Sequence, residues 1–308
     1  MNSVENAKIN IKLNMKLNFK SIIMAARPKT LSAAIVPIIA TIGLVQAKGF
    51  QIQWWIVVFA LFSCFCIQIG TNFVNDAMDF KKGADTDMRL GPKRATQQGL
   101  LSFKQVMSIA AAFFIMAIML GIPLVIHGGV PIFLIGIVSV LMGYAYTSGP
   151  YPLAYKGLGD LFVILFFGLV AVGGMYYLLT GTYDMSAFVL GFQIGFLSTI
   201  LIAINNLRDI HGDVLVNKKT LAVRLGLAGG RIWICFLIVA PFLTGYYWLF
   251  QKQFALYVAP ILSLPLGILI MKKILRTEPS AAYNQFLAMS AAYGLLFSLL
   301  FYVGSLIQ

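Results

Sequence analysis

Nine windows of roughly 20 apolar residues can be placed along the 308-residue chain, and a stretch of that length is what a helix needs to cross a hydrocarbon core about 30 Å thick. The windows lie near 31–48, 53–75, 105–126, 130–147, 158–180, 186–206, 231–250, 254–271 and 283–306. In lipid each backbone N–H and C=O must find its partner within the protein, which leaves helix as the state for such continuous runs. Hydrophobic residues make up 60% of the chain and charged residues 11%, with a mean hydropathy of +0.87. That balance excludes an ordinary soluble domain. The expected fold is an all-α, polytopic membrane protein with nine transmembrane helices.

The 23 Lys and Arg residues give an orientation, because basic residues in short loops collect on the cytoplasmic side. The N-terminal segment carries Lys8, Lys12, Lys16, Lys20, Arg27 and Lys29, and the loop after the second window carries Lys81, Lys82, Arg89, Lys93, Arg94 and Lys104. Taking alternate loops onward places 21 of the 23 on one face and leaves Lys48 and Lys252 on the other. The N-terminus is therefore expected in the cytoplasm and the C-terminus outside. The net charge of +13 is the basic loop charge of a membrane protein, spread over five segments, so nucleic acid is not an expected partner. Residues 1–25 read as a basic cytoplasmic tail, either lying along an anionic membrane surface or disordered, and 26–308 as a single domain. A cleavable signal peptide is not expected, since the first apolar run is long and another span follows it directly. Cys64, Cys66 and Cys235 lack the spacing of a zinc site or a disulfide scaffold and read as small apolar filler.

Two acidic clusters sit where apolar windows end on the basic side. The first is Asn72, Asn75, Asp76 and Asp79, with Asp85 and Asp87 beyond it; the second is Asn205, Asn206, Asp209 and Asp213, with Arg208 among them. If helix continues, Asn72, Asn75, Asp76 and Asp79 fall at i, i+3, i+4 and i+7 and share a face, as do Asn205, Asp209 and Asp213 at i, i+4 and i+8. Carboxylates kept at a membrane helix cost free energy and repel one another, so they call for a cation or bound protons. Oxygen-only ligand sets suit Mg²⁺, which commonly bridges one or two carboxylates to a substrate phosphate. Candidate metal ligands are Asn72, Asn75, Asp76, Asp79, Asp85, Asn205, Asp209 and Asp213. Lys93, Arg94, Arg208, Lys219 and Arg224 are the candidate diphosphate clamp, whereas Lys218 reads as a loop residue.

The stretches NFVNDAMDFKKGADTDMRLGPKRATQQGLLS at 72–102 and NNLRDIHGDVLVNKKTLAVRLG at 205–226 resemble the signatures of the UbiA superfamily of intramembrane aromatic prenyltransferases. ARPKTL at 26–31 and GLGD at 157–160 support the match. The second stretch is most like the branch acting on 1,4-dihydroxy-2-naphthoate in menaquinone synthesis. Against the superfamily pattern NDxxDxxxD, position 83 is Gly and the next acid is Asp85, a spacing similar to the naphthoate branch that leaves either Asp85 or Asp87 as the motif's outer ligand. His211 lies at a position the family varies.

The resemblance implies helices around a central cavity, with the two Asp motifs on cytoplasmic loops of a multi-pass protein of the bacterial inner membrane. It also implies a Mg²⁺-dependent reaction in which Asp76, Asp79, Asp209 and Asp213 are the catalytic acids. A polyprenyl group would pass from polyprenyl diphosphate to 1,4-dihydroxy-2-naphthoate with loss of CO₂, giving demethylmenaquinol. Arg27, Lys29, Tyr144 and Tyr146 are the candidates for the aromatic acid's pocket. Two alternatives stay open: the same fold with another acceptor such as 4-hydroxybenzoate, and a cation-coupled secondary transporter.

Overall fold

All nine apolar windows fall on helix, and no strand occurs among the described residues. The computed structural model describes residues 19–84, 90–92 and 94–307, with only the main chain of Phe19, Lys20 and Lys29. The tail up to residue 18, Asp85, Asp87 and Lys93 lie outside the described residues, as does the side chain of Lys29. The helices are α1 (Phe19–Ala26), α2 (Ser32–Ala47), α3 (Trp54–Lys81), α4 (Phe103–Ala145), α5 (Gly159–Thr180), α6 (Met185–Arg208), α7 (Ile210–Leu215), α8 (Leu221–Phe250), α9 (Phe254–Ile261), α10 (Leu264–Arg276) and α11 (Tyr283–Leu306).

Helix α4 absorbs two of the windows and doubles back. Its 43 residues would make a rod of about 64 Å, roughly twice the bilayer core. At Gly129 the backbone takes φ 66° and ψ −154°, a conformation that glycine alone adopts freely. A Cβ built on Gly143 would lie 3.3 Å from the Phe114 ring and 2.6 Å from Thr71 Oγ1, while one on Gly70 would meet Phe114 at 2.9 Å. On a straight helix positions 114 and 143 would stand about 43 Å apart. The two arms of α4 therefore pack side by side against α3.

Among the described residues six helices can cross a membrane by length and apolarity, or seven if α9 and α10, bent by 44°, form one span. The expected nine is reached only by counting the arms of α4 separately and adding the 16-residue α2, which is shorter than a usual span. The chain is a multi-pass membrane protein.

Small residues set a close helix contact. The middle of α5, Ile164–Val170, is wound as a π-helix, and there Gly168 meets Gly191 and Gly195 of α6 backbone to backbone; a Cβ on Gly168 would stand 2.7 Å from the Gly195 Cα. Such small-residue seams let membrane helices approach where no hydrophobic force between them operates. Gly168→Ala is expected to destabilise the protein by about 1–3 kcal/mol, the usual overpacking range, seen as a lower thermal midpoint in detergent. Gly173→Ala, on the same helix with nothing within 4 Å of the added atom, should leave the midpoint unchanged.

Three short devices hold the loops that carry the motifs. Ser102 and Gln105 form a reciprocal capping box that starts α4. Thr220 Oγ1 accepts from the Val223 N–H to start α8. A satellite core of Ala25, Phe73, Val74, Ala77, Ala95, Leu101 and Val106 clamps α1 and the 94–101 loop onto α3. The remaining helices enclose the main core, and between them lies a cavity of about 1400 Å³ that opens at the ends of α3 and α6.

Candidate active site

At the end of α3 the expected shared face is present. Asn72, Asp76 and Asp79 are buried, Asn75 is half-buried, and all four line the cavity. Asp79 is held from two sides, by Arg94 Nη2 at 2.6 Å and by the Tyr155 hydroxyl at 2.7 Å. Arg94 also donates through Nη1 to the Asn75 carbonyl (2.8 Å) and side-chain oxygen (3.2 Å). Asp76 accepts from the Ala95 N–H at 3.2 Å and from the Thr96 N–H and hydroxyl, which pins the 94–99 loop over the motif. Asn72 spends its amide on the Ala26 carbonyl (2.9 Å) and Thr30 (3.0 Å), and its oxygen accepts from Gln68 at 3.3 Å. It therefore anchors the turn after α1.

The second motif departs from one continuous helix. Helix α6 stops at Arg208, Asp209 takes φ −93° and ψ 9°, and α7 restarts at Ile210. A fork sits at this break: Arg208 donates through Nε to Asp209 Oδ1 at 2.8 Å and through Nη2 to Oδ2 at 2.6 Å. The fully buried guanidinium also reaches Asn205 Oδ1 (2.9 Å) and Asn284 Oδ1 (2.7 Å) of α11. Hydrogen bonds from Asp209 N–H to Asn205 and from Asp213 N–H to Asp209 carry the helical spacing across the break. Asn205, Asn206, Asp209 and Asp213 thus all face the cavity.

Asp213 is the least compensated member. Burial pushes its carboxyl up to about 6; the Lys218 ammonium works against this, and the charges of Asp209 and Asp79 add to it. Lys218 Nζ stands 3.5 Å from Oδ1, while the buried Oδ2 has no hydrogen-bond partner. Asn217, at φ 54°, turns the chain so that Lys218 points back into the mouth; Asn is one of the few residues that visit this conformation readily. Burial and the Asp79 charge push the Tyr155 hydroxyl up, so it stays a donor.

The two motifs face each other across this mouth. Lys218 acts electrostatically on both Asp79 and Asp213 and sits 5.5 Å from the centre of the Tyr155 ring. Among the described residues no three His, Cys, Asp or Glu side chains gather tightly enough to hold a metal by themselves. An oxygen donor set with an orphaned carboxylate oxygen nevertheless fits Mg²⁺, a cation that shares its coordination with phosphate oxygens and water.

Other sequence candidates are sorted by the cavity wall. Arg27, in a left-handed conformation at φ 52°, lines it, as does Tyr146 beside Phe162. Tyr144 is 44% exposed and points away from the cavity. Lys219 and Arg224 also stand outside the wall; Arg224 donates to the Lys156 carbonyl at 2.9 Å and ties two loops together. Lys218, not its neighbour, is the cation at the mouth. His211 is exposed at the rim. Tyr155, Thr96 and Asp160 were not anticipated as site residues, and only Asp160 carried a signal: it is an acid inside the apolar window 158–180.

The UbiA prenyltransferase family profile matches residues 35–302. The chain belongs to this family. Among curated UbiA relatives, a 1,4-dihydroxy-2-naphthoate octaprenyltransferase of Haemophilus influenzae is 37% identical over 222 residues, 69% of this chain and 71% of that protein. One of the same name from Escherichia coli is 30% identical over 292 residues, 90% of this chain and 92% of that protein. The UbiA fold is seen in a homolog from Archaeoglobus fulgidus bound to GPP and Mg²⁺, with a TM-score of 0.68 at 14% identity, covering 92% of this chain and 99% of that one. Membership of the family makes the chain a prenyltransferase.

Proposed function

We propose that the protein transfers a polyprenyl group from polyprenyl diphosphate to 1,4-dihydroxy-2-naphthoate, with loss of CO₂, giving demethylmenaquinol. The observation that carries this reading is the placement of two acidic motifs at the mouth of a largely apolar cavity of about 1400 Å³. The diphosphate belongs at the charged mouth and the hydrocarbon tail in the apolar depth. The names of the curated relatives support the acceptor.

Asp76, Asp79, Asp209 and Asp213, with the amide oxygens of Asn75 and Asn205, would hold Mg²⁺. When bound, the cation would neutralise the charge that builds on the departing diphosphate. Arg94 and Tyr155 fix Asp79, Arg208 fixes Asp209, and Thr96 fixes Asp76, so the carboxylates are positioned before substrate arrives. Lys218 adds a positive charge beside the diphosphate. Arg27 faces the cavity as the partner for the acceptor's carboxylate. The wall formed by Phe162, Phe166 and Phe167 keeps water from the allylic cation left when the carbon–oxygen bond breaks, and the electron-rich ring closes the new carbon–carbon bond. We further place the mouth on the cytoplasmic side of a bacterial inner membrane, with residues 26–308 as one domain.

The test is an assay of the purified protein in detergent with Mg²⁺, a polyprenyl diphosphate and 1,4-dihydroxy-2-naphthoate, following prenylated quinol and CO₂ by mass spectrometry. Product should form and vanish on chelation with EDTA. Product with 4-hydroxybenzoate but none with the naphthoate would overturn the acceptor and keep the transferase. No product with any acceptor, together with substrate-dependent ion flux in proteoliposomes, would make the protein a transporter.

A further inference from the structure

Asp160 is the acid in the cavity wall that the mouth does not use. It opens α5, is 2% exposed, and lies on the cavity surface. Its Oδ1 accepts from the Trp233 indole N–H at 2.9 Å. Its Oδ2 is buried with no hydrogen-bond partner. The Thr199 hydroxyl contacts the Asp160 carbonyl at 3.5 Å, which sets Asp160 level with a position on α6 about 15 Å of helix rise below Asp209. The Tyr146 ring flanks it, with its hydroxyl 3.0 Å from where a Cβ on Gly159 would sit.

A buried carboxylate oxygen without a donor is costly, typically about 1–3 kcal/mol or more for a charged group, and needs a reason. Its depth and sign argue against contact with the diphosphate, which a carboxylate would repel. What suits an orphan acceptor in an apolar, aromatic-walled pocket is a neutral hydroxyl donor on a flat ring. We propose that Asp160 binds the aromatic acceptor, with Oδ2 accepting a hydrogen bond from a ring hydroxyl while Trp233 fixes the carboxylate through Oδ1. The assignment rests on the functional reading above. A hydroxyl hydrogen-bonded to a carboxylate also donates more electron density to its ring, so Asp160 contributes to the acceptor's reactivity as well as its position.

Asp160→Asn keeps the volume and replaces the acceptor Oδ2 or the Trp233 contact with an amide N–H₂ donor. It is expected to raise KM for the dihydroxynaphthoate at least about tenfold, with KM for the polyprenyl diphosphate unchanged. Trp233→Phe, which frees the carboxylate, should raise the same KM less. Competition by analogues that do not turn over separates the chemistry: Asp160→Asn should weaken 1-hydroxy-2-naphthoate or 4-hydroxy-2-naphthoate but not 2-naphthoate. Wild-type turnover with an unchanged acceptor KM in Asp160→Asn, or equal weakening of all three analogues, overturns the assignment alone. A wild-type protein that prenylates no aromatic acceptor overturns the functional reading and the assignment with it.

Discussion

Asp213→Asn is expected to lower turnover at least about 100-fold, the scale of removing one preorganised electrostatic stabiliser, while leaving the protein as stable as wild type or more so. The two effects have one cause. Asp213 is buried, its carboxyl is pushed up to about 6, and its Oδ2 lacks a partner. In the absence of cation and substrate that charge is a cost. Because the folded value lies above the ordinary 3.8, the side chain takes up a proton on folding between those values. Its contribution is therefore fully present below about 4 and lost as the pH rises through about 6. Asparagine removes this dependence and the cost at neutral pH, so the metal-free variant should match or exceed the wild-type thermal midpoint at pH 7.5. Raising Mg²⁺ should not restore turnover, since a ligand is missing. A variant with near wild-type turnover would remove Asp213 from the site, and one that lost activity and stability together would make it a structural residue.

The helical period made the first motif legible. Apolar spacing carries α3 through to Lys81, and a 3.6-residue turn then puts Asn72, Asn75, Asp76 and Asp79 on one face with no tertiary information. The second motif was legible only in part. The expected spacing survives in the hydrogen bonds, but neither the break at Asp209 nor the fork between neighbouring side chains that sits there is reported by periodicity. Likewise the expectation that Lys219 clamps and Lys218 is a loop residue is reversed: adjacent lysines carry no one-dimensional cue to direction, and with Asn217 in a left-handed turn it is Lys218 that faces Asp213. Arg94 was expected to clamp diphosphate because basic residues near acids suggest it. In the folded chain its guanidinium meets Asp79 and Asn75 across a loop, a long-range pairing invisible in one dimension. The windows at 105–126 and 130–147 anticipated the two arms of α4, and Gly129 between them marks the fold-back.

Arg208 shows how the site is supported from below. Its guanidinium, 1% exposed, joins Asn205 and Asp209 of the second motif to Asn284 at the start of α11, and Asn284 Nδ2 in turn donates to the Leu90 carbonyl at 3.1 Å beside the first motif's loop. One cation therefore ties both halves of the mouth to the last helix. Arg208→Ala is expected to cost about 3–5 kcal/mol, because it strands a partly buried carboxylate and two amide oxygens. Arg231→Ala, which loses a pair to the 74%-exposed Glu278 and a hydrogen bond to the Thr277 carbonyl, should cost less, about 1–2 kcal/mol. Unfolding of the two variants in mixed detergent, followed by far-UV circular dichroism, gives the comparison. Equal stability losses would mean that the Arg208 network is no stronger than the contacts of Arg231. The expected asymmetry would place it as the strut on which Asp209 depends, and Arg208→Lys should then recover only part of the loss, since a single ammonium cannot reproduce the fork to Asp209 while also reaching Asn205 and Asn284.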